Sequence, residues 1–157
     1  MGSVTTAVCN SFKTELLKGY HELHGSSTIK IALIKDSPSG TYNKTTTNYT
    51  SVTGNTDEVS ASGTNYSTGG YVLTNVAVSI ASDTALVDFD DVVISSASFS
   101  ADGAIIYESE ARGETGSTET GKAIAVVDFG GTQTSTNGTF TVSIPSAGAS
   151  TAIIRIA

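Results

Sequence analysis

The sequence predicts a mainly β protein, an antiparallel β-sandwich or open barrel preceded by one N-terminal α-helix, and three observations carry that prediction. From Thr28 onward apolar and polar residues alternate with a period of two, the pattern of half-buried strands. Turn-forming residues recur between these runs: Ser82-Asp83, Asp102-Gly103, Gly130-Gly131 and Asn137-Gly138. No long helical stretch separates the strands, so the crossovers that a parallel sheet requires are missing. The polar positions are filled mostly by Thr, Ser, Gly and Asn, which suit pleated surfaces and the turns between them.

The 157 residues are expected to form a single domain, 1–157, since one core of this size is self-sufficient. Within it, 1–25 reads as the helix. Val8, Phe12, Leu16, Gly19 and Leu23 recur at spacings of three and four, Lys13, Lys18 and Glu22 fall elsewhere on the wheel, and Gly25 is the expected stop. The β-sandwich then occupies 26–157. Ile29, Ile31 and Leu33 alternate with Lys30 and Ala32 as a first strand. A long polar loop is expected over 37–70, where Tyr42, Tyr49, Val59 and Tyr66 are the main large apolar side chains, with room for a short helix or edge strand.

Tyr71 to Ile80 and Ala85 to Asp91 are expected to form a hairpin around Ser82-Asp83. Val92 to Phe99 and Ala104 to Tyr107 suggest a second, turning at Asp102-Gly103, a dipeptide tolerant of positive φ. Glu108 to Gly121 reads as a solvated acidic loop. Ala123 to Phe129, nearly all apolar and closed by Gly130-Gly131, reads as a central strand buried on both faces. Phe140, Val142 and Ile144 alternate with polar residues after a turn at Asn137-Gly138, and Ala152 to Ile156 supplies the last strand. Leu86-Val87-Asp88-Phe89 and Val126-Val127-Asp128-Phe129 echo each other, which raises, without establishing, two related halves.

Charge and cysteine content narrow the function. Eight basic residues against 15 acidic ones give a net charge of −7, too little positive charge to neutralise a run of phosphates, so nucleic-acid binding is not expected. The lone cysteine, Cys9, permits no internal disulfide. No apolar run approaches the roughly 20 residues that cross a bilayer, and Met1 to Ala7 lacks the features of a secretory leader, so synthesis and folding in a cytoplasm are expected. Met1-Gly2 with Thr6 fits a myristoylation pattern only formally, and the glycosylation triplets beginning at Asn43, Asn48, Asn65 and Asn137 are what a Thr-rich chain produces by chance.

Motifs for chemistry are weak. Gly116 to Ala123 spells a P-loop except that Ala123 replaces the magnesium-binding hydroxyl, and the segment opens a β-like run rather than a helix. His21 and His24 lie three apart at the expected helix end and read more simply as solvated than as metal ligands. Cys9 reads as a small packing residue rather than a nucleophile. Asp88, Asp90 and Asp91 are the densest carboxylate group; calcium is one reading, a solvated face or a capped bend the simpler one. No cofactor is expected.

Several segments together resemble a family of small structural proteins of tailed bacteriophages: Ala7 to Lys13, Gly69-Gly70-Tyr71 with Leu73, Val87 to Asp91, Gly103 to Tyr107, Val127 to Gly131, Asn137 to Val142 and Ala152 to Arg155. The resemblance covers most of the chain, although the tryptophan often found near positions 92 to 94 is missing and the acidic loop before Lys122 is long. It implies a non-enzymatic virion protein, a capsid decoration or cement protein on the outside of the head, whose expected partners are the major capsid protein and copies of itself. The sequence does not give the oligomer, and a trimer at local threefold positions is the arrangement to test. A tail, neck or fibre-associated component is the alternative it leaves open, and a small carbohydrate- or calcium-binding β module is the reading from another class. In a docking protein Tyr42, Tyr49 and Tyr66 of the polar loop, with Phe12, Leu16 and Tyr20 of the helix, are the expected contact residues, because tyrosine buries area while keeping a hydroxyl for hydrogen bonding.

Overall fold

The computed structural model of the chain describes residues 1–24, 27–74 and 76–157. Its elements, in chain order, are β1 (Ser3–Val4), β2 (Ala7–Val8), α1 (Asn10–Leu17), β3 (Ile29–Lys35), β4 (Thr41–Tyr42), α2 (Thr50–Thr53), β5 (Tyr71–Val72), β6 (Ala77–Ala81), β7 (Thr84–Asp88), β8 (Val92–Glu108), β9 (Lys122–Val142) and β10 (Ile154–Ile156). The fold is mainly β and, apart from a short parallel β1–β4 pair, antiparallel, with α1 as its principal helix. One sheet runs β2-β9-β8-β3-β5 and a second runs β10-β7-β6.

Burial explains the larger sheet. Ile29, Ile31, Ala32, Leu33 and Ile34 of β3, Ile105 and Ile106 of β8, and Ile124 and Val126 of β9 are all at most 1% exposed. These apolar runs are covered on both faces, hence the loss of alternation just where three strands lie side by side. Val87 and Ile154 of the smaller sheet join the same hydrophobic core, so the sheets share one interior.

The β8–β9 pair departs from the sequence reading most. The hairpin expected at Asp102-Gly103 and the turn expected at Asn137-Gly138 are replaced by one ribbon, with strands of 17 and 21 residues that bulge at those places. Asp102 is a skipped position between Ala101 and Gly103, opposite the unpaired stretch from Phe129 to Thr132. Gly130 and Gly131 supply its positive φ values, 75° and 127°, and Asn137 supplies another, 48°, inside β9. Residues tolerant of positive φ serve bulges as readily as turns. Gly103 has a further reason: a Cβ there would lie 2.3 Å from the Val127 carbonyl oxygen and 2.7 Å from Val4 Cγ1. The expected turn at Ser82-Asp83 is present, between β6 and β7.

The helix is eight residues long rather than about 25. Val8 belongs to β2, paired with Ala125. Gly19, which the periodicity assigned to the apolar stripe, instead ends the helix at φ 71°. Its N–H bonds to the Leu16 carbonyl at 3.0 Å, and that of Tyr20 to the Glu15 carbonyl at 2.9 Å, the paired bonds of a Schellman ending. The expected stop, Gly25, lies outside the described residues. The two Val-Asp-Phe echoes occupy separate sheets with different neighbours, so they do not mark duplicated halves.

The 37–70 segment is built rather than loose. It contains β4 and α2 and is organised by two adjacent carboxylates. Asp57, fully buried, accepts bonds from the Ser39 and Gly40 amides (3.0 and 2.7 Å) and the Tyr42 hydroxyl (2.7 Å), with Lys35 Nζ at 3.2 Å. Burial alone would raise its pKa, but these donors outweigh it and hold the carboxyl well below the usual range. Glu58 accepts from the hydroxyls of Tyr49 and Tyr66 and from the Gly69 amide.

Candidate functional site

The six expected contact residues separate once their burial is known. Tyr42, Tyr66 and Phe12 are 1%, 3% and 2% exposed and belong to the core, which removes them as free contact surface. Tyr66 donates to Glu58 and accepts from the Leu33 amide at 3.0 Å, so its hydroxyl is occupied within the fold. Tyr49 is half-buried and stacks on Tyr107 with ring centres 4.5 Å apart and planes 5° from parallel. Tyr20 is half-buried beyond the helix end, its hydroxyl 3.3 Å from Glu114. Only Leu16 retains both a place on α1 and a partly open side chain.

Two of the groups that sequence reasoning read as solvated, His21 and Glu108, form a buried charge network instead, while His24, Glu114 and Glu119 are exposed as expected. His21 is folded inward, with Nδ1 2.7 Å from Glu108 Oε2 and Nε2 3.0 Å from Glu15 Oε2. Both neighbours are acceptors, so the two bonds are made together only by the doubly protonated ring. Glu108 is 0% exposed, not part of a solvated loop, and its second oxygen takes Arg112 Nε at 2.7 Å. Glu15 in turn binds Lys122 Nζ at 2.8 Å, and Lys122 also reaches Glu119 at 2.7 Å. Burial disfavours both Glu108 and Glu15 in charged form, yet the hydrogen bonds from His21, Arg112 and Lys122 prevail and lower their pKa values.

This network pins the acidic connection between β8 and β9 onto the segment that follows α1. It also occupies two of the groups that the sequence motifs singled out, Lys122 and His21. Lys122, the lysine of the P-loop lookalike, is committed to two carboxylates and starts a strand. His21 has no nitrogen left for a nucleophile, and burial pushes the Cys9 thiol up to about 11, leaving it protonated at neutral pH. In the Asp88-Asp90-Asp91 group, Asp91 accepts the Ile144 amide at 2.8 Å and Asp90 accepts the Thr74 hydroxyl at 3.1 Å. Among the described residues no three His, Cys, Asp or Glu side chains are grouped to hold a metal ion.

The largest concavity lies elsewhere, on the side of α1. It is a groove of about 990 Å³ floored by Val8, Phe12 and Leu16 and walled by the C-terminal segment at Ile144, Ile153 and Ile156. Leu17 stands at its edge, 91% exposed, and Ile156 is 56% exposed. Lys13, Lys44 and Arg155 also line it, three of the chain's eight basic residues, and no acidic residue does. An acidic protein thus presents, in this groove, an apolar depression with a cationic border. No protein-family model matches the chain, and neither a curated protein nor a solved structure is significantly similar to it.

Proposed function

We propose that the chain is a non-enzymatic structural protein of a phage virion, a decoration or cement protein that docks on the major capsid protein and stabilises the assembled head. The observation that carries the docking part is the groove beside α1, where Leu17 and Ile156 stay open to solvent around an apolar floor. Its lysine and arginine border favours an apolar segment flanked by carboxylates. The virion part rests on the sequence resemblance.

The test is add-back to particles that lack the protein. Wild-type protein is expected to bind them, whereas Leu17→Asp and the double substitution Lys13→Glu with Arg155→Glu should keep the wild-type circular dichroism and lose binding. Undiminished binding by both variants rejects the groove as the docking site. Binding confined to the tail, seen by labelling in the microscope, favours a tail, neck or fibre component instead.

A further inference from the structure

The strand β6 is an edge strand left open. It pairs with β7 on one side only, and among the described residues no strand covers the other. Its first four residues are exposed, Val78 at 53% and Ile80 at 73%. Natural edge strands are usually defended by lysine, proline, a bulge or an inward charge. Ala77-Val78-Ser79-Ile80-Ala81 has none of these.

The hairpin fixes which backbone groups face outward. Ser82 and Asp83 have φ values of 46° and 65°, the all-positive pattern of a type I′ turn. The flanking pair Ala81–Thr84 then exchanges both hydrogen bonds, and such pairs recur at Ser79–Leu86 and Ala77–Asp88. The N–H and C=O groups of Val78 and Ile80 therefore point away from β7. The strand is also a palindrome in size and polarity: reversed about Ser79, Ala meets Ala and Val meets Ile.

The geometry points to a second copy of this chain as the occupant of that edge, its β6 antiparallel to the first about a twofold axis through Ser79. In this register Val78 exchanges two hydrogen bonds with Ile80 of the partner subunit, and symmetry repeats them, giving four. Ser79 forms the non-hydrogen-bonded pair at the axis, the two exposed apolar side chains of each copy cover one another on one face, and only alanine and serine meet on the other. An isologous contact needs such self-complementarity, and it closes at two copies. The smaller sheet becomes six-stranded. This pairing is independent of what the groove beside α1 holds.

Sedimentation of the purified chain tests it. The expected particle has twice the 16.0 kDa chain mass. Ile80→Pro removes an outward N–H without touching a bond to β7, so it should give a monomer with unchanged circular dichroism, and Ile80→Lys should do the same should the proline variant fold poorly. Ser79→Cys should yield a disulfide-linked dimer on mild oxidation, because paired positions at the axis lie within disulfide reach and Cys9 is buried and does not compete. A wild-type monomer up to the solubility limit overturns the proposal. So does any oligomer, a trimer included, that survives both Ile80 substitutions.

Discussion

Glu108 binds two side chains at once, His21 through one oxygen and Arg112 through the other, with no exposure to water of its own. Removing it leaves buried His21 Nδ1 and Arg112 Nε without their acceptor, so Glu108→Ala should cost about 3–5 kcal/mol in urea unfolding. The same carboxylates set an acid limit. Glu15 and Glu108 have pKa values below their ordinary 4.5, and Asp57 below its ordinary 3.8, so their contribution is complete above those values and is lost as pH falls through the lower folded ones. Melting temperature should hold near neutrality and fall below about pH 4.5. Glu108→Gln should show a shallower acid decline than wild type. None of this network was legible in the sequence, because His21 meets carboxylates 6 residues before it and 87 after it. The nearby His24, by contrast, is exposed as expected and lies 3.6 Å from Glu22.

At the scale of elements, alternation located the strands but could not tell a turn from a bulge. Asp102-Gly103 and Asn137-Gly138 have the composition of hairpin turns, yet the partner strand continues past both. Only the long-range β8–β9 pairing decides between the two outcomes. In the 37–70 segment the expected room for a short helix or edge strand is filled by α2 and β4, but what orders the segment was not legible, because it is Asp57 and Glu58 gathering amides and tyrosine hydroxyls rather than an apolar period. Tyr66→Phe leaves the Leu33 amide without its acceptor and takes one of three donors from Glu58, and a loss of about 1–3 kcal/mol is expected in chemical unfolding. Gly70 connects this segment to β5 at φ 73°, and a Cβ there would sit 1.9 Å from the Ile31 carbonyl oxygen. Gly70→Ala should therefore cost more than about 4 kcal/mol, against roughly 1–2 kcal/mol for Gly130→Ala, which has positive φ but open space around it.

At the scale of the whole molecule, the mainly β, antiparallel architecture was readable from the period of two and the lack of crossover helices. The groove was not, since it joins α1 to the C-terminal segment more than 120 residues away. Far-ultraviolet circular dichroism should be β-dominated with a minor helical part, and a mainly helical spectrum would contradict the fold. In the proposed role many modest contacts add over a symmetric shell, so particles lacking the protein should assemble but release DNA at a lower temperature, and add-back should restore them. The most direct test of that role is quantitative mass spectrometry of purified particles, reading copies of this chain against copies of the major capsid protein. The account predicts a number comparable to the repeating units of the shell; a handful of copies per particle, or none, would contradict it.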